Sequence, residues 1–230
     1  MIVGYHAIWS AYGFWLPNDP RGSWSDFVGS WELFRTGGQA TKTTETRSLA
    51  RNTHDRAERL AVNELLQRPP VVFTGTQARA VARGFAGYVE RSGVPVRACA
   101  ILPNHVHLVV GRSNASIENV VIQLKMHATN RLVAEGIHPF QHLKPPSGPP
   151  PKCWAQGCWK VFLDPEDVDR SIRYVENNPV KDGLRPQKWN FVSPVSREAK
   201  PSAGPPPTPQ VSREAEPSAG PPPAKPSLPG

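Results

Sequence analysis

ILPNHVHLVVGR, residues 101–112, places two histidines one residue apart in a run otherwise built to be buried. Valines and leucines at this density, with β-branched residues prominent, read as a strand. A strand sends alternate side chains to opposite faces. His105 and His107 therefore share a face with Val109, while Val106, Leu108 and Val110 pack on the other. Taken alone, the pair reads first as a partly exposed strand whose imidazoles meet solvent or a hydrogen-bond partner, and context has to shift that reading.

Working outward, Val96 to Leu102 reads as a strand, and Pro103-Asn104 makes the turn that pairs it with the histidine strand as a hairpin. Upstream, Thr76 to Arg91 spaces Ala78, Val81, Phe85 and Val89 for a helix that stops at Gly93. Downstream, Ser116 to Glu135 sets Ile117, Val120, Val121, Leu124, Ala128 and Leu132 on one side of a helix, with Gly136 as its stop. A first strand is expected in VGYHAIWSAY, residues 3–12, and a short apolar segment at Trp159 to Leu163. The last helix begins with Asp164 as cap, Pro165 in the first turn and Glu166 and Asp167 at the positive end, and Pro179 is expected to end it. Strand, helix, strand, strand, helix, strand, helix predicts an α+β fold: a single compact domain with an antiparallel sheet covered by helices.

The chain's limits follow from composition. Among 230 residues, 27 are proline, concentrated late, and VSREAKPSAGPPP at 195–207 returns as VSREAEPSAGPPP at 211–223, a repeat spaced by 16 residues. Such a segment has too little apolar surface to offset the entropy of ordering it. One globular domain over residues 1–192 and a disordered tail over 193–230 are expected. Within the domain, residues 13–68 carry little periodicity apart from a helical stretch near Asp55 to Leu66, and read as a long insertion or ornamented loop.

The formal charge is +8. The tail's four basic and three acidic residues leave +7 on the folded part, which suits a polyanionic partner without proving one. Cysteines at 99, 153 and 158 form no disulfide framework, and no signal peptide or membrane-length apolar run is seen, so a reducing cytoplasm is the expected compartment. Cys153 and Cys158 frame CWAQGC in a Pro/Gly-rich connector, where a zinc clip lacks two further ligands, so they read as ordinary thiols.

In the last helix sits RYVENNPVKDGL, residues 173–184, with Tyr174 and Asn178 four apart on one face. PNHVHLVV at 103–110, then an amphipathic helix, then YVENNPVKDGL resembles the REP-associated tyrosine transposases, within the HUH single-tyrosine transposases of bacterial insertion sequences. YGFWLPNDPRGSW at 12–24 is similar to the amino-terminal signature of one branch of that group, and the resemblance spans about residues 3–192.

The resemblance implies a ferredoxin-like, RRM-like HUH fold. It implies that His105, His107 and Asn178 hold a divalent cation, Mg²⁺ or Mn²⁺, and that Tyr174 is the nucleophile. The substrate it implies is hairpin-forming single-stranded DNA, cleaved through a 5′-phosphotyrosine, by a bacterial nucleoid-associated protein acting as monomer or homodimer. Such chemistry is sensible from below. A cation neutralises charge on a phosphate oxygen, and positive charge beside a phenol, which ordinarily ionises near pH 10, favours the attacking phenolate. Lys125, Arg131, Lys181, Trp15 and Trp24 are candidates for stacking on bases or contacting the backbone. Two rival readings stand beside this one. A non-catalytic hairpin-binding module would keep the surface without the chemistry, and a small nucleotide hydrolase of the histidine-triad kind would want a third histidine where Val109 stands.

Overall fold

The computed structural model describes residues 1–14, 16, 19, 31–38 and 55–193. Among these, four strands form one sheet: β1 Gly4–Ser10, β2 Val96–Ile101, β3 His105–Gly111 and β4 Trp159–Leu163, in the order β2-β3-β1-β4 with every pairing antiparallel. Five helices accompany them: α1 Trp31–Gly37, α2 Arg56–Glu64, α3 Gly75–Ser92, α4 Ile117–Ala134 and α5 Pro165–Lys181. The expected α+β class and antiparallel sheet are what the chain adopts, and no described helix is long and apolar enough to cross a membrane.

Alternation along the strands divides the core in two. Ala7 and Trp9 of β1, Cys99 and Ile101 of β2, and Val106, Leu108 and Val110 of β3 pack with Val81 and Phe85 of α3 and Val121, Leu124 and Ala128 of α4. The opposite face carries Ala98, Ala100, Val109 and Leu163, covered by Ile172 and Val175 of α5. The small alanines let α5 lie close to the sheet. Helices α3 and α4 approach so closely that a Cβ on Gly84 would stand 2.6 Å from the His127 carbonyl oxygen and 2.7 Å from Ala128 Cα.

Local signals set the helix ends. Thr74 and Gln77 form a reciprocal capping box at the start of α3, which stops at left-handed Gly93. Asp164 accepts from the Asp167 amide at the start of α5, where Pro165 occupies the first turn. Pro179, expected to end α5, lies inside it, and the helix runs on to Lys181. The proline removes one donor, to the Val175 carbonyl, in a turn that later amides still close: Asp182 donates to Asn178 O at 3.2 Å and Leu184 to Pro179 O at 2.8 Å. Residues 13–68 include the expected α2, capped by Asp55, and also the exposed seven-residue α1, where Trp31 stacks on Phe34 at 5.7 Å. Trp15 and Trp24 and the repeat-bearing segment 194–230 lie outside the described residues.

Candidate active site

The two histidines of β3 project toward the sheet face covered by α5, as their alternation with Val106 and Leu108 requires. Register places Ile8 beside His107, Ser10 beside His105, and His6 beside Val109. This brings a third imidazole into line. His6 Nε2 lies 3.0 Å from His107 Nδ1, and His107 Nε2 lies 3.0 Å from His105 Nε2. His105 Nδ1 lies 2.6 Å from Asn104 Oδ1. An amide oxygen only accepts, so His105 Nδ1 is the donor in that pair.

Burial determines charge here. His6 is pushed down to about 4 by loss of water around its ring. His107 is held well below the ordinary imidazole range, chiefly by burial, and its electrostatic coupling to the nearby ionisable groups of His105, His6 and Lys181 works in the same direction. Both rings are therefore neutral at pH 7 and keep a lone pair without first losing a proton.

Helix α5 delivers the remaining residues. Tyr174 packs its ring edge-on against His107, with centroids 5.6 Å apart, and against His6 at 5.8 Å. The residue stays 42% exposed, so it is seated on the histidines and still reached by solvent. Lys181 Nζ stands 4.7 Å from the centre of the same ring. Asn178 follows one turn after Tyr174 and is buried, continuing the sheet-facing row of Ile172 and Val175. Its Nδ2 is buried with no hydrogen-bond partner among the described residues, an arrangement that costs stability.

These side chains fit a divalent cation. Two nitrogens each about 2.1 Å from one ion, at right angles, come about 3.0 Å apart, and the Nε2 atoms of His105 and His107 are separated by 3.0 Å. The buried amide of Asn178 offers an oxygen once its terminal group is turned, since oxygen and nitrogen of an amide exchange places by a simple flip. Among the described residues no three His, Cys, Asp or Glu side chains gather as a cage. A cation held here would meet two imidazoles and an amide.

The other sequence candidates fall elsewhere. Lys125 donates to the carbonyls of Ala155 and Gly157 at 2.8 and 2.6 Å, pinning the CWAQGC loop, and burial pushes its ammonium down to about 8. Arg131 pairs with Glu135 at 2.5 Å, which also takes Arg83. Cys153 and Cys158 are free thiols. His6 and Asn104 are site residues that the sequence reading did not single out: Asn104 was legible only as a turn former, and His6 meets its partner from 101 residues away.

No family model matches the chain, and no curated protein does. Among solved structures, the chain is similar to a REP-associated tyrosine transposase bound to a REP hairpin. That match has 11% identity and a TM-score of 0.41, over 80% of this chain and 70% of that one. It is also similar to a protein described as a putative transposase from Deinococcus radiodurans R1, with 16% identity and a TM-score of 0.36, over 77% of this chain and 91% of that one.

Proposed function

We propose that the chain is a metal-dependent tyrosine transposase that nicks and rejoins hairpin-forming single-stranded DNA. The observation that carries the reading is the seating of a half-exposed tyrosine, Tyr174, against His107, whose Nε2 lies 3.0 Å from that of His105. A tyrosine, two closely spaced histidines and a lysine in one place match what phosphodiester transfer needs, and the motif order in sequence supports the same assignment. Residues 1–192 form the catalytic domain, with 13–68 as an insertion and 193–230 as a tail outside the chemistry.

His105, His107 and Asn178 would hold Mg²⁺ or Mn²⁺, which when bound neutralises and orients a non-bridging phosphate oxygen. Tyr174 attacks phosphorus through its phenolic oxygen as the proton leaves to solvent. The new tyrosine O–P bond forms while the P–O3′ bond breaks, and the departing 3′ oxygen takes up a proton. The products are a 5′-phosphotyrosine and a free 3′-hydroxyl. Because a diester is exchanged for a diester, the bond's energy is kept, and a 3′-hydroxyl can reverse the step on a new strand without a nucleotide cofactor. Lys181 supplies positive charge beside the phenolate.

Incubating the protein with hairpin-bearing single-stranded DNA from beside its own gene tests this. A covalent adduct that needs Mn²⁺ or Mg²⁺ and is absent in Tyr174→Phe supports the reading. Hairpin binding with no nick or adduct in any metal contradicts it and favours a binding module.

A further inference from the structure

A histidine at position 6 is an unexpected choice on physical grounds. It sits on the central strand β1 at 7% exposure, and its strand partners on either side, Val109 and Val161, are apolar. An aliphatic side chain there would extend the core without cost, whereas a buried imidazole must be hydrogen-bonded to be tolerated. The bond it makes is to His107 Nδ1 at 3.0 Å, on the side of that ring away from His105.

We propose that His6 is a positioning residue of the metal site, accepting the Nδ1–H of His107 so that the Nε2 lone pair of His107 faces the cation. The inference rests on the metal-site reading above. A neutral imidazole has one donor and one acceptor nitrogen, so the partner at Nδ1 decides what Nε2 can do. With His6 Nε2 accepting, the His107 proton is held on Nδ1 and Nε2 is free to ligate. Asn104 does the same for His105 from the turn, through Nδ1 at 2.6 Å. Both ligands are thus fixed by an acceptor behind them, one contributed by β1 and one by the β2-β3 turn. His6 also packs against Tyr174, with ring centroids 5.8 Å apart at 63°, so the same side chain backs the nucleophile.

Partners of this kind typically account for a 10- to 100-fold change in metal affinity. Mn²⁺ titration of the full chain, read by electron paramagnetic resonance without DNA, measures the effect directly. His6→Phe keeps a ring of similar size and is expected to weaken Mn²⁺ binding by about 10- to 100-fold. His6→Gln restores an acceptor near the Nε2 position and is expected to recover most of the affinity. Equal Mn²⁺ affinity in folded His6→Phe and the unsubstituted protein overturns the proposal, as does a His6→Gln no better than His6→Phe. If His6→Phe does not fold, long-range ¹H–¹⁵N correlation on the unsubstituted protein with Mg²⁺ gives the answer: a proton on His107 Nδ1 supports the role and one on Nε2 overturns it. His105→Ala separates the two levels. Mn²⁺ binding lost in His105→Ala but untouched in His6→Phe removes the inference alone, while no saturable Mn²⁺ binding in the unsubstituted protein removes the metal site and the inference with it.

Discussion

The ring of Tyr174 stands edge-on to that of His107, with centroids 5.6 Å apart and planes at 75°. An aromatic on an amphipathic helix normally turns its ring into the core or lies flat on the surface. Here it rests on the imidazoles of His107 and His6 while the residue stays 42% exposed.

Lys181, 4.7 Å from the centre of that ring, makes the first prediction. Positive charge at this range stabilises a phenolate. Lys181→Met is therefore expected to slow adduct formation at saturating DNA by about tenfold, measured in single-turnover time courses. An unchanged rate would assign Lys181 to the surface alone.

Lys125 gives the opposite expectation. Its ammonium is committed to the Ala155 and Gly157 carbonyls, so it should stabilise the 153–158 loop instead of reading DNA. Lys125→Met leaves both carbonyls short of a donor and is expected to cost about 1–3 kcal/mol of stability. The salt dependence of DNA binding should keep its slope, whereas losing a phosphate contact lowers it by about one.

Burial of His6 and His107 makes stability depend on pH. Both are depressed in the folded state, His6 to about 4, while in the unfolded chain they take up protons near 6.5. The unfolded state binds more protons between these values, so stability is complete above about pH 6.5 and falls as pH drops toward 4. Each such proton contributes about 1.4 kcal/mol per pH unit. Denaturant melts in EDTA between pH 7 and 5 should show this decline, with a shallower slope in His6→Phe.

Gly84 is required where α3 crosses α4. Alanine there would ordinarily gain about 1 kcal/mol of helix propensity, but its Cβ would stand 2.6 Å from the His127 carbonyl. Backbone cannot yield as a side chain does, so Gly84→Ala is expected to destabilise by about 1–3 kcal/mol in thermal melts. A stabilised variant would contradict the close crossing.

What the sequence made legible was local. Alternation in NHVH placed His105 and His107 on one face, and the Asp164-Pro165 start fixed where α5 begins, so Tyr174 and Asn178 could be put on one helix side. The proline at 179 misled because a helix's last turn tolerates a missing donor when the following amides reach back to Asn178 and Pro179. His6 was hidden for a different reason. In VGYHAIWSAY its alternation shows only that it shares a face with Ile8 and Ser10. Which face meets α5 is decided by the β1-β3 register, and register is a property of two strands a hundred residues apart. The contacts of Lys125 were hidden in a third way: a basic residue on an amphipathic helix looks like surface until the connector that folds over it is in place.

The most direct measurement is denaturing gel electrophoresis of the protein with end-labelled hairpin DNA in Mn²⁺, Mg²⁺ or EDTA. A denaturant-resistant adduct on the 5′ end of the cleaved strand is predicted, lost with EDTA, in His105→Ala and in Tyr174→Phe. An adduct that survives Tyr174→Phe, or hairpin DNA bound tightly yet left intact in every metal, would contradict Tyr174 as the nucleophile.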